Sequence, residues 1–523
     1  MNSFINMDMK HFRKNYLDVN LFIPMVLLAM MTIFSCSKDK GPQFDTPTLS
    51  LGGSEIVEGK IGTKVSIPLN INAGGGAKAV VVFKGGGFLS EIPINRDATQ
   101  YVYETEVIPT SSGEGDLIEY EFLVSNLDNT DSERVKATIK VETYDKITIG
   151  STSVYVIDVP NEGIVSAGTT IKLIKGRNYY IGESINFAAG SKLTIEEGVQ
   201  VYMNADASTP IEITIAGEAD VVGTATNPVV FTSSKTLLPN GDPQPGDWVT
   251  FRLDGTGPSS NNGRVNYLRM EYAGNRAFRL ADVGSATNIS HIQVFKASGE
   301  GVMFSGSADG NARVKYIVAT DCEGGSYRLD NTYGGYMQFV IAVSSEHYGA
   351  ELDDFQLRTQ SSGPRIANVT ILGPGSGVSN THGIRYRETT RAHVYNAIVA
   401  QFPRRAVRVA PIDASNNVPV EPNDWANSAV FAHSHVFDIG SQSFRERGEL
   451  FGPGASTPDY HNSTTAIAGI GVADFVPDAE QTSTFNPSTI NSFFASAPYV
   501  GAVRNANEDW TKGWVKNPDG SIR

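Results

Sequence analysis

Cysteine is almost missing from this chain of 523 residues: there are two, Cys36 and Cys322. Once either is committed elsewhere no intrachain disulfide can form, and stability must come from a large buried core. Long apolar runs are as scarce. Outside residues 21–34 no stretch approaches the length needed to cross a bilayer. Basic excess is missing too, since 42 Lys and Arg against 56 Asp and Glu leave a formal net charge of −14. Phosphate backbones require a concentrated basic face, so the composition argues against nucleic acid as a partner. There is no Gly-x-Ser-x-Gly nucleophile elbow. The glycine runs at 74–76 and 85–87 are followed by no Lys-Ser/Thr, which makes them turns and not phosphate loops. His433 and His435 would share one face of a strand, but no third ligand accompanies them at a spacing diagnostic of zinc.

What is present begins with a leader. Lys10, Arg13 and Lys14 precede the apolar stretch, whose length is that of a signal-peptide core. Ile33, Phe34, Ser35 and Cys36 then resemble a bacterial lipobox, in which a small residue precedes a cysteine that is acylated. On this reading residues 1–35 are a lipoprotein signal peptide, 36–45 a lipidated tether, and the protein is held to a membrane by lipid on Cys36. Each buried methylene contributes about 0.8 kcal/mol, so several acyl chains make attachment lasting. Ser37 after the cysteine fits outer-membrane sorting, with either cell-surface or periplasmic exposure. Cys322 is left without a partner and reads as a small buried hydrophobe.

The 52 glycines and 25 prolines imply many turns, which suits an all-β chain. Between 46 and 144 apolar residues alternate, as at Val65, Ile67, Leu69 and Ile71. Period-two alternation means strands with one buried face, and about seven of them in a hundred residues suggest an immunoglobulin-like sandwich. Residues 145–164 read as a linker. Beyond them Leu268, Ile292, Ile317, Val340, Val369 and Ala397 recur every 23 to 29 residues within short apolar strands. A strand-based period of that size signals a solenoid, here a parallel β-helix over 165–425 with C-terminal rungs and a cap over 426–523. Trp510 and Trp514, at i and i+4, are expected to cover the last open rung.

Several segments resemble a known family. KLTIEEGVQV at 192–201 looks like a first-rung motif, and AGEADVVGTATNPVVFTS at 216–233 with PGDW at 245–248 looks like the next two coils. GGYMQFVI at 334–341, ANVTILGP at 367–374 and VYNAIV at 394–399 are similar to later rungs. FFASAPYVGA at 493–502 and DWTKGW at 509–514 are similar to the closing segment. Together they resemble the right-handed, pectate-lyase-like β-helix surface lipoproteins of Bacteroidota. The resemblance implies architecture, because that fold hosts lyases, hydrolases, adhesins and plain scaffolds.

Candidate chemistry follows from the acids and arginines. A lyase would need Ca²⁺ held by converging oxygens. Asp321, Glu323 and Asp330 on one coil, with Glu351, Asp353 and Asp354 on the next, are the candidate ligands. In the stretch around Arg385, Tyr386, Arg387 and Arg391, strand alternation puts Arg385 and Arg387 on one face. They could hold an acidic sugar, or act in a lyase, with Tyr386 or Tyr348 available for stacking. The leading expectation is non-catalytic binding of a glycan or of an outer-membrane protein. A Ca-dependent polysaccharide lyase or glycoside hydrolase is the alternative, and a structural or adhesive surface protein the third reading.

Overall fold

The computed structural model describes residues 44–345, 352–360, 362–375, 380–409, 418–421, 424, 427–455 and 459–523. Cys36, Tyr348 and Glu351 lie outside them. The described chain is almost wholly β. Near the N-terminus, Thr48–Leu51, Ser66–Asn72 and Gln100–Glu104 form a three-stranded antiparallel sheet. A second sheet of five strands runs in the order Ile56–Lys60, Val135–Glu142, Leu117–Asn126, Ala77–Lys84 and Gly87–Pro93. Alternation does the work expected of it: Ile67, Leu69 and Ile71 are buried while Ser66 and Pro68 face out. Those residues and Tyr103 share one core with Val80, Phe122 and Ile139 of the second sheet, which makes the unit a sandwich.

The stretch 145–164, expected as a linker, contains the hairpin Asp145–Ile149 and Thr152–Ile157. Its second strand pairs in parallel with Asn178–Ile181 and so opens the solenoid. From there two sheets rise together, one of sixteen strands, parallel except for Asp145–Ile149, and one of eleven parallel strands. Leu268, Ile292, Ile317, Val340, Val369 and Ala397 are direct register partners on successive coils, and all are fully buried. The spacing read from the sequence is therefore one inward column. Its counterpart on the other sheet is Phe251, Phe278, Val302, Tyr327, Phe355, Ile384 and Val407. Cys322 lies in this same core.

Each long strand of the larger sheet turns a corner at one residue with positive φ: Tyr267, His291, Tyr316, Phe339, Asn368, Asn396. That conformation disfavours bulky side chains, so the stack must offset the strain. It does so first with rings, whose centroids lie 4.1, 4.5 and 4.8 Å apart from Tyr267 through Phe339 and whose planes are within 17° of parallel. Amides then take over, Asn368 donating to the carbonyls of Ala497 and Tyr499 and Asn396 to that of Phe485.

Those carbonyls belong to the C-terminal segment, which runs back along this corner. Trp510 and Trp514 pack edge-on against His291, and Trp514 against Tyr267. The expectation that they cover the last rung is corrected: they seal the flank of the middle coils, because the ring stack leaves an apolar stripe there.

Candidate functional site

Alternation decides what lines the outer face of the eleven-stranded sheet, since a residue between two core positions must project outward. Phe251 and Leu253 flank Arg252, Phe278 and Leu280 flank Arg279, and Tyr327 and Leu329 flank Arg328. Ile384 and Tyr386 flank Arg385, and Val407 and Val409 flank Arg408; all ten flanking side chains are buried. Parallel register then stacks the outward residues in one file: Arg252, Arg279, Met303, Arg328, Gln356, Arg385, Arg408 and Arg445. A chain of net charge −14 thus concentrates guanidinium groups on one surface, each about 4.8 Å from the next strand's position.

Like charges at that spacing need partners. Arg252 Nε donates to Asp254 at 2.5 Å. Arg328 reaches Asp330 at 2.5 Å and Glu300 at 2.9 Å. Burial opposes the charge on Arg328, yet these hydrogen bonds raise its pKa overall. Arg385 Nη1 donates to Asp353 at 3.0 Å, and Arg408 Nε to Glu446 at 3.3 Å. Two arginines differ. Among the described residues no carboxylate forms an ion pair with Arg279 or Arg387. Burial lowers the pKa of both, followed by repulsion from Arg252 and Arg276 for the first and from Arg385 and Arg358 for the second. Guanidinium forks match planar carboxylates in bidentate geometry, so Arg279 in the file and Arg387 beside it are suited to a polymer carrying anions.

Arg385 and Arg387 are both part-exposed, and the charge of Arg385 opposes that of Arg387. Tyr386 does not serve them: it is fully buried, with its hydroxyl donating to the Val430 carbonyl at 2.7 Å, so stacking on a ligand is ruled out. Arg391 sits in the turn that follows, its carbonyl accepting from Arg365 at 3.3 Å.

The calcium cluster does not assemble among the described residues. Asp321 is turned inward to accept from the Ser345 amide and hydroxyl. Asp330 is taken by Arg328 and Asp353 by Arg385, while Glu323 is exposed beside a different hollow with Asp242 and Lys296. Among the described residues no three acidic, His or Cys side chains converge as a metal site. Local bonding instead engages Asp321 with Ser345, Asp330 with Arg328 and Asp353 with Arg385. The histidines also regroup: His433 lies at a corner and its ring is 4.9 Å from that of His461 on the next coil, not beside His435.

Asp354 is enclosed, with one oxygen accepting from the Ser326 amide and from the hydroxyls of Ser326 and Ser344. Burial pushes its carboxyl up to about 6 from 3.8, the serine hydrogen bonds oppose that, and Asp321 adds to it. Because the folded value is the higher one, the neutral acid is favoured on folding. Its stabilisation is complete below about pH 4 and is lost as pH rises through 6, by roughly 3 kcal/mol. Asp354→Asn should flatten that decline in denaturant titrations run from pH 4 to 7. An unaltered slope would assign it to another group.

The sequence carries a readable sign of the arginine file. FRL at 251–253 and 278–280, YRL at 327–329, IRY at 384–386, VRV at 407–409 and FRE at 444–446 repeat apolar-Arg at a fixed strand position. The IRY member is followed directly by a further arginine, Arg387.

A family model described as a pectate-lyase-like β-helix domain matches residues 163–258 and 247–430. A pectate lyase of Pectobacterium carotovorum is 10% identical over 71% of this chain and 88% of its own, with a TM-score of 0.11. The fibronectin(III)-like modules of Clostridium thermocellum CbhA are 17% identical over 19% of this chain and 47% of theirs, with a TM-score of 0.15. No curated protein matches the sequence.

Proposed function

We propose, since the chain belongs to the pectate-lyase-like β-helix domain family, that it binds an acidic polysaccharide along the outer face of its eleven-stranded sheet. One observation carries this reading: a register-aligned file of arginines in which Arg279 and, beside the file, Arg387 have no ion-pair partner among the described residues. Each could give a charge-assisted hydrogen bond to a sugar carboxylate. The Arg279→Ala, Arg387→Ala double variant should weaken retention of a soluble polyuronate about a hundredfold in affinity electrophoresis, with melting unchanged. Equal retention of variant and parent would sink the proposal.

A second reading, a polysaccharide lyase, draws on Arg387, a guanidinium with no ion-pair partner among the described residues whose charge is disfavoured by burial and by Arg385 and Arg358. Arg385 is less suited, being engaged with Asp353. Appearance of unsaturated uronate absorbance, abolished by Arg387→Ala, would favour this reading over plain binding.

The same proposal includes export and lipid attachment at Cys36, with the N-terminal sandwich, taken as immunoglobulin-like, acting as a spacer from an outer membrane. Cys36→Ala should move the protein from the membrane to the soluble fraction. Continued sedimentation with membranes would refute the anchor.

A further inference from the structure

A second groove lies on the other sheet. Its floor is the start of the strand Arg313–Thr320 and the coil before it, where Asn288 pairs with Arg313 and Ser290 with Lys315. Arg313 and Lys315 are two apart on one strand and therefore project from the same face. Ser492 and Phe493, from the returning C-terminal segment, line it together with Ser285 and Thr287. The space is about 360 Å³.

Its chemistry is unusual for this protein. No carboxylate lines the groove, and neither cation forms an ion pair with any described residue. Each sits against a ring instead, Arg313 5.1 Å from the centre of Tyr336 and Lys315 4.8 Å from that of Phe493. Burial alone lowers the Lys315 ammonium, with no nearby acid to hold it up. Around them stand hydroxyl and amide groups that can donate to an anion. Ser290 already bonds Asn266, while Asn288 and Ser492 have no side-chain partner among the described residues. Two cations left half-buried and without counter-charge, in a chain of net charge −14, constitute a site preformed for an anion.

We infer that this groove binds a single oxyanion substituent of a saccharide, a carboxylate or a sulfate ester, through Arg313 and Lys315. The site is separate from the arginine file and stands without it, since no residue is shared and the two occupy different sheets.

The test uses the full chain and three probes in titration calorimetry: galacturonic acid oligomers, a sulfated disaccharide and inorganic sulfate. In a background of Arg279→Ala and Arg387→Ala, which removes the first face, binding of the sulfated or the uronate probe should persist. Adding Arg313→Gln and Lys315→Met should weaken it at least about tenfold, while the Arg313→Lys, Lys315→Arg pair should restore most of it. Preference between the first two probes identifies the substituent. Binding of inorganic sulfate alone, or affinity unmoved by the Gln/Met pair at unchanged melting temperature, would overturn the inference.

Discussion

Arg177→Ala is expected to destabilise the native protein by roughly 3–5 kcal/mol, the cost of leaving a buried charge without its partner. Arg177 precedes the strand Asn178–Ile181 of the solenoid, and its side chain is 3% exposed. It bonds Glu114 of the sandwich, which is 2% exposed, and Glu58 at 3.1 Å. The second oxygen of Glu114 accepts from the Thr143 amide at 2.7 Å and hydroxyl at 2.9 Å, and Tyr179 donates to the first at 3.2 Å. Tyr155 lies under the guanidinium, 4.6 Å from its ring centre. Removing the arginine strands Glu114 in a place that water does not reach. The loss should appear as an earlier denaturant transition for the sandwich, with the solenoid melting later. Arg177→Met combined with Glu114→Leu should recover most of the stability, because an apolar pair carries no desolvation cost. If the single variant loses less than about 1 kcal/mol, the bridge does not hold the two units together.

Trp514→Ala should cost about 3–5 kcal/mol, in the range of large aromatic truncations. The ring is fully buried and its N–H donates to the Trp510 carbonyl at 2.8 Å. Its own carbonyl accepts from Arg269 at 2.7 Å, and Lys516 next to it reaches Glu271 at 2.8 Å. Burial works against the Glu271 charge, but Arg269 and Lys516 keep its pKa low. Losing the indole therefore loosens a charged network as well as an apolar contact. Hydrogen exchange should rise at residues 505–523 and at Tyr267 and His291 beneath them, well before the solenoid unfolds. Trp510→Ala, at a half-buried ring, should do less. Equal protection in the parent and in Trp514→Ala would show that the segment is held by its polar bonds alone.

Much of the architecture was legible in advance because β-structure writes its period into the chain. The column from Leu268 to Ala397 was visible as a spacing, and register pairing places those residues directly over one another. The arginine file was partly visible, since Arg385 announced itself by proximity to Arg387 just beside the file. Arg252 and Arg408 did not, although each sits between the same kinds of apolar neighbours. Stacking of coils, not sequence distance, makes them neighbours. Tyr386 departs from the expected stacking role for a related reason: alternation puts it opposite the arginines, and opposite means into the core.

Among the described residues the acids form no calcium set, because a carboxylate's fate depends on its nearest donor. Ser345, Arg328 and Arg385 reach Asp321, Asp330 and Asp353 first, and no spacing rule encodes that. Residue order alone is enough for an all-β chain whose second part repeats, because backbone pairing and alternate burial are local rules applied coil after coil. Tertiary structure alone decided which charges remain unspent and where the C-terminal segment lies. Both depend on contacts between residues far apart in the chain, whose energies are set by the distance and burial that folding creates.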